Sequence, residues 1–150
     1  IVYFDPVSSP MIVPREIYLR TGHAVARRTI SRIKAPTVTH LASGRALPII
    51  DDVASTGTAI VSATVLEDLA AMKAACRGKL TVIGNLNGIE MRRWTAQDAE
   101  REVKKAIAAA GSGGGFVLSD NHGEIPYQVP EDVLLEIAEA VRRFGAYPRE

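Results

Sequence analysis

Polar residues with acid, base or metal-binding side chains close several apolar runs in this chain. Asp5 ends the run IVYFD, His40 ends PTVTH, Asn85 ends LTVIGN and His122 closes GFVLSDNH. A carboxylate, an amide and two imidazoles can move protons, bind substrate hydroxyl or ammonium groups, or hold a metal ion. Each also has a structural interpretation, as a turn cap or as a loop side chain that hydrogen-bonds nearby backbone.

Short runs rich in β-branched residues alternate with helix-like segments along the whole chain. This pattern predicts a parallel sheet buried under helices. The five runs are IVYFD, PTVTH, AIVSAT, LTVIGN and GFVLSDNH. In such sheets the reactive groups lie beyond the carboxyl ends of the strands, where the following loops meet. We therefore expect Asp5, His40, Asn85 and His122 to open onto one face.

The segments between the runs carry helix signals. Helices are predicted over residues 15 to 34, 46 to 54 and 66 to 77, and from 131 onward. A further helix is predicted after Thr95, because Thr95 and Asp98 have the spacing of a capping box. The glycine-rich stretch GSGGG follows a helix and precedes a strand, which is the wrong order for a phosphate-binding loop. It is predicted to be a helix stop and turn.

Composition restricts the class of protein. The 150 residues suffice for one domain, residues 1–150, with a sizeable core. A net charge of +1 argues against a nucleic-acid partner, and no apolar run approaches the length of a membrane span, so a soluble cytoplasmic protein is expected. The single cysteine, Cys76, excludes a disulfide within the chain. Because Ile1 already begins a strand, we expect a chain cut inside a larger fold.

Several segments together resemble the carboxyl-terminal half of the uroporphyrinogen decarboxylase superfamily. They are FDPVSSPMIVPREIY, THLASG, LEDLAAMKAA, VIGNLNG, TAQDAEREVKKAI and GGGFVLSDNHGEIPYQVPEDVLLEIAEAVRRFGAY. The resemblance implies an α/β fold consisting of about the last five βα units of a (βα)8 TIM-type barrel. The amino-terminal half of the barrel would then be a missing partner. Five strands cannot close such a barrel, so we expect an open half-barrel with its strands in sequence order. The rival is a doubly wound sheet with a reversed strand order.

One branch of the superfamily comprises corrinoid-dependent methyltransferases, which carry a D-x-x-x-S-P segment. DPVSSP matches it here, and the resemblance implies a catalytic role for Asp5 and a substrate-binding role for Ser9. Those enzymes also hold zinc with an H-x-C segment and a later cysteine. This chain keeps the histidine as His40, has Ala42 in place of the first cysteine, and has His122 at the second. The resemblance thus implies His40 and His122 as metal ligands.

The other branch comprises the decarboxylases of porphyrin and haem biosynthesis, which carry an N-x-x-H-G loop. The chain keeps His122 and Gly123 of that loop without its asparagine. In that branch the histidine binds or protonates the substrate, and no cofactor is required. A substrate with many carboxylates needs inward-facing Arg or Lys side chains, and the strand ends supply Arg45.

The methyltransferase-like interpretation is favoured, because DPVSSP and THLASG fit it better. The alternatives are a uroporphyrinogen decarboxylase and a non-catalytic barrel that binds a corrinoid partner, which the lost cysteines suggest. The predicted site comprises His122 and Asp5 as catalytic residues, Asn85, Ser9 and Arg45 as substrate-binding residues, and His40 and His122 as metal ligands. The expected ligands are zinc and a corrinoid carried by a partner protein, or a free tetrapyrrole. The sequence is also compatible with a homo-oligomer.

Overall fold

The computed structural model describes residues 1–120 and 124–146, which form a five-stranded parallel sheet with flanking helices. The strands are β1 (Val2–Phe4), β2 (Val38–His40), β3 (Ile60–Ser62), β4 (Thr81–Leu86) and β5 (Phe116–Asp120). Neighbouring strands pair in the order β1-β2-β3-β4-β5, and every pair is parallel. Sequential order is that of consecutive units of a βα barrel, whereas a doubly wound sheet reverses direction. The predicted strand order is confirmed.

Helices follow each strand. They are α1 (Arg15–Arg20), α2 (Gly22–Ile30), α3 (Ile50–Ser55), α4 (Leu69–Cys76), α5 (Ala96–Ala110) and α6 (Glu131–Phe144). The single helix predicted over residues 15 to 34 is wrong, because Thr21, at φ −120° and ψ −85°, separates α1 from α2. Within the described ranges, no helix has the length and apolar character that a membrane crossing requires.

The sheet has one covered face and one open face. Thr39, Val61 and Val82 are neighbours across the central strands, and each is at most 4% exposed beneath the helices. Phe4 and Val117, on the two outer strands, are 60% and 43% exposed. Side chains alternate between the two faces of a strand, so the helices cover one face only. In a closed barrel the open face would line the interior.

The helix-covered face contains the larger hydrophobic core. Met72 and Cys76 of α4 pack there with Ile49 and Val53 near α3, and all four are at most 1% exposed. Burial raises the pKa of the Cys76 thiol to about 11. A thiol with so high a pKa stays protonated and unreactive near neutral pH.

The capping box predicted at the start of α5 is confirmed. The Thr95 hydroxyl accepts from the Asp98 N–H at 3.2 Å, and the Asp98 carboxylate accepts from the Thr95 N–H at 2.8 Å. Hydrogen bonds from the backbone and hydroxyl of Thr95, and then from Arg101, lower the pKa of Asp98 to about 2. The start of α5 is thus fixed by side chains within one turn.

Replacing Thr95 with alanine is expected to lower the free energy of unfolding by about 1 kcal/mol, because the variant loses the cap of α5. Urea unfolding followed by circular dichroism measures the change. Thr95→Ser keeps the hydroxyl and serves as the matched control. An alanine variant as stable as the serine variant would contradict the proposed contribution of the cap.

Candidate functional site

The loops that follow β1 and β2 contact each other at the carboxyl end of the sheet. The Asp5 N–H donates to the His40 carbonyl at 2.9 Å, and the Ser9 hydroxyl donates to the Arg45 carbonyl at 3.1 Å. Ser9 is fully buried. A Cβ at Gly44 would lie 2.5 Å from the Ser9 Cβ, so glycine permits this close packing. The DPVSSP and THLASG segments therefore form one packed unit.

Further hydrogen bonds extend this contact across the next two loops. The Leu41 N–H donates to the Ser62 hydroxyl at 3.4 Å, which connects the β2 loop to β3. The Asn85 amide donates to the Thr64 carbonyl at 3.2 Å, which connects β4 to the loop after β3. The carboxyl ends of four neighbouring strands thus form a continuous rim.

The Asp5 carboxylate has a fixed orientation on this rim. Its Oδ2 accepts from the Ser8 hydroxyl at 2.6 Å, within the short 3₁₀ turn Pro6–Ser8. Ser8 is buried, whereas Asp5 is half-buried. Hydroxyl–carboxylate bonds of this length are among the stronger hydrogen bonds in proteins. A partly solvated carboxylate held in this way can accept a hydrogen bond or a proton from a ligand.

The hydrogen bonding of His40 defines its tautomer. Its Nδ1 accepts from the Ala42 N–H at 2.9 Å, so Nδ1 carries a lone pair and the ring proton lies on Nε2. The ring also contacts Phe4, with the two ring centroids 5.5 Å apart. In this state Nε2 carries the proton and can donate a hydrogen bond, whereas a metal-binding nitrogen must offer its lone pair. The Ala42 methyl group supplies no ligand atom.

The described residues do not fit a zinc ion by themselves. Across residues 1–120 and 124–146, no three His, Cys, Asp or Glu side chains lie close enough together to hold a metal ion. The predicted ligand His122 lies outside the described residues. Binding of zinc through Nε2 of His40 would also require the bond to Ala42 to break. Zinc binding therefore stays a prediction that depends on His122.

His40 and Asn85 both belong to the open face of the sheet. His40 pairs in register with the exposed Phe4, and cross-strand partners share a face. Asn85 directly precedes Leu86, which is buried in the helix-side core, so its own side chain belongs to the opposite face. Arg45 is exposed on the β2 loop. Whether His122 shares this site stays a prediction.

The sequence analysis missed Glu67, a buried acid in the loop between β3 and α4. It is 8% exposed, and its Oε1 accepts from the N–H groups of Ala46 and Leu47 at 2.8 and 2.6 Å. Burial raises the pKa of Glu67, an effect that backbone hydrogen bonds, first that of Leu47, and the positive charge of Arg45 oppose. The peptide group between Arg45 and Ala46 is therefore held at both ends. Its carbonyl accepts from Ser9, and its N–H donates to Glu67.

The stability of the protein should depend on pH through Glu67. Because the folded state has the higher pKa, it binds the proton more tightly than the unfolded chain does. Stability from this group is thus greatest below the ordinary glutamate pKa of 4.5 and falls as the pH rises through the raised value. Urea unfolding of wild type and Glu67→Gln across pH 4 to 7 measures it. We expect the glutamine variant to gain stability relative to wild type with rising pH, and a constant difference would contradict this assignment.

The family model described as uroporphyrinogen decarboxylase (URO-D) matches residues 1–144. The chain belongs to the URO-D family. The match over residues 1–144 confirms the superfamily predicted from the sequence. The family includes decarboxylases and methyltransferases, so membership alone does not choose between the two interpretations.

A solved structure supports the same fold for this URO-D family chain. A methyltransferase from Methanosarcina mazei matches it with a TM-score of 0.83 and 22% sequence identity. The match covers 97% of this chain and 42% of that chain, so the chain spans less than half the length of that protein. The fold is therefore part of a TIM-barrel-like α/β fold, as predicted. No curated protein sequence matches the chain.

Proposed function

We propose that the chain is part of a corrinoid-dependent methyltransferase-like enzyme of the URO-D family. The observation that carries the proposal is the packing of DPVSSP against THLASG, through the bond from Ser9 to the Arg45 carbonyl. These two segments are the ones that distinguish the methyltransferase branch in the sequence. The similar fold of a methyltransferase from Methanosarcina mazei supports the same class of reaction.

The rim residues have separate roles in this proposal. A methylated corrinoid on a partner protein supplies an electrophilic methyl group for a nucleophilic acceptor. Asp5, oriented by Ser8, accepts the hydrogen bond or proton of the acceptor group. His40 donates a hydrogen bond through Nε2, and the Asn85 amide orients a polar group of the acceptor. The exposed Arg45 binds an anionic group at the edge of the site.

Uroporphyrinogen decarboxylation is the second candidate, and the description of the matching family model favours it. In this alternative Arg45 binds a substrate carboxylate and His122 binds or protonates the substrate, without a cofactor. The third candidate is a barrel that binds a corrinoid partner without catalysis, which Ala42 in place of a thiolate ligand suggests. The first two candidates consume different substrates, and the third consumes none.

An assay on the intact protein separates these candidates. Methylcobalamin is the methyl donor, a panel of thiol and non-thiol nucleophiles supplies acceptors, and uroporphyrinogen tests decarboxylation. We expect loss of the methylcobalamin absorbance, with Asp5→Asn reducing the rate about 100-fold. Asp132→Asn, on the exposed start of α6, is the matched control and should leave the rate unchanged. Carbon dioxide release from uroporphyrinogen without methyl transfer would instead support the decarboxylase.

Metal analysis of the intact protein tests the zinc prediction. If His40 and His122 hold zinc, wild type contains about one ion per chain and His40→Ala loses it. His23, which hydrogen-bonds Ser55 of α3, supplies the control variant His23→Ala, which should keep the metal. Active wild-type protein without zinc would refute the metal site and leave His40 as a hydrogen-bond donor.

A further inference from the structure

A cleft of about 500 Å³ opens between α4 and α5, beside the loops that follow β3 and β4. Its lining includes Glu67, Asp68, Leu69, Trp94, Glu102 and Ala106. The volume lies within the range of small-molecule sites. All its lining residues lie between positions 65 and 109 of the sequence. The strands in this region, β3 and β4, each have a neighbouring strand on both sides. The cleft therefore does not depend on what covers the outer edges of the sheet.

One oxygen of the cleft residue Glu67 lacks a hydrogen-bond partner. Its Oε1 is occupied by two backbone N–H groups, whereas its Oε2 is buried and accepts no hydrogen bond from any described residue. The charge of Arg45 acts on the carboxylate, but the described side chains of the two residues form no ion pair. Burying an unpaired carboxylate oxygen is unfavourable. A cation in the cleft would compensate for it by electrostatic attraction, without contact with the buried Oε2.

The rest of the lining favours a cation that carries alkyl groups. Asp68 and Glu102 add acidic side chains, against the single basic side chain of Lys105. Asp68 Oδ1 accepts from backbone at the start of α4, and Glu102 pairs with Lys105 at 3.7 Å, whereas Oε2 of Glu67 is buried without a hydrogen-bond partner. The half-buried Trp94 lines the cleft, and aromatic side chains attract cations. The other lining residues are apolar except for Asn85 and Asn87.

We propose that this cleft binds a small alkylammonium ion, with the ammonium group at Glu67 and the alkyl groups against Trp94 and Leu69. The cleft lies mainly within the helix layer, and Asn85 is the only residue with a role in the proposed methyl-transfer site that also lines it. Binding there requires no methyl transfer. The proposal can therefore fail or succeed independently of the proposed function.

Trp94 is the only tryptophan in the sequence, so its fluorescence reports on the cleft. Choline is the cationic probe, and 3,3-dimethyl-1-butanol is its neutral counterpart of nearly the same shape. Titrations are made into the full chain at constant ionic strength with sodium chloride, and Trp94→Phe identifies the signal. We expect a saturable change with choline and at least tenfold weaker binding of the neutral alcohol. Equal affinity for the two probes would overturn the proposal.

Glu67→Gln removes the charge of Glu67 while keeping an acceptor for the two backbone N–H groups. We expect its Kd for choline to rise at least tenfold, whereas Glu139→Gln, exposed on α6, leaves the Kd unchanged. An unchanged Kd in Glu67→Gln would overturn the proposal. If that variant fails to fold by circular dichroism, calorimetry on Trp94→Leu replaces it. For Trp94→Leu we expect the Kd for choline to rise at least tenfold, and an unchanged Kd would overturn the proposal.

Discussion

Gly84→Ala is expected to lower the free energy of unfolding by roughly 3 kcal/mol. Gly84 lies in β4 at φ +139°, a backbone conformation that residues with a Cβ rarely adopt. An added Cβ would lie 2.5 Å from the carbonyl oxygen of Ala63. The clashing atom belongs to the backbone of the neighbouring loop, so a side-chain rotation cannot relieve the contact.

Gly78→Ala is the matched control for this substitution. Gly78 also has a positive φ, of +71°, but no other atom lies within 4 Å of its hypothetical Cβ. The control should therefore lose only about 1 kcal/mol, the cost of the left-handed conformation. Urea unfolding of both variants measures the difference. Equal losses would show that the contact with Ala63 does not matter.

The effect of Gly84→Ala should extend to the candidate site. Gly84 allows β4 to approach the backbone after β3 closely, and Asn85 bonds to Thr64 in that same backbone. Displacing β4 would break this bond and detach Asn85 from the rim. A variant that still folds should thus lose activity on the rim as well as stability.

Features that rest on local sequence were predictable. Alternation of β-branched runs with helical segments predicted the parallel sheet, and the family resemblance predicted its sequential order. The start of α5 was predicted because its cap involves only Thr95 and Asp98, three residues apart. Three of the polar residues at strand ends, Asp5, His40 and Asn85, lie on the rim, because parallel strands bring their carboxyl ends to one edge, and the fourth, His122, lies outside the described residues.

Features that rest on contacts between distant segments were not predictable. Glu67 accepts from Ala46 and Leu47, 21 and 20 positions away, and nothing in its neighbouring sequence indicates that contact. The break at Thr21 interrupts a helix whose apolar periodicity continues across it, so periodicity alone predicts one helix. α4 begins at Leu69 and not at residue 66, because the Asp68 carboxylate caps it by accepting from Ala70 and Ala71. The tautomer of His40 likewise follows from a backbone bond that composition cannot show.

Glu67→Ala is expected to lower the free energy of unfolding by about 2–4 kcal/mol. The substitution removes the acceptor for the N–H groups of Ala46 and Leu47, and the Ala46 group is buried. Burial of the carboxylate itself is unfavourable, so its removal offsets part of the loss. Chemical denaturation of the alanine and glutamine variants separates the two contributions, because glutamine keeps the acceptor without the charge.

The exposed Glu16 at the start of α1 provides the control, and Glu16→Ala should change stability by less than about 0.5 kcal/mol. If the hydrogen bonds to the β2 loop are the cause, Glu67→Gln should retain most of the stability that Glu67→Ala loses. A glutamine variant as unstable as the alanine variant would show that the charge is what matters, which would attribute the stabilisation to attraction between Glu67 and Arg45. In that case the β2 loop would be fixed chiefly by the bond from Ser9 to the Arg45 carbonyl.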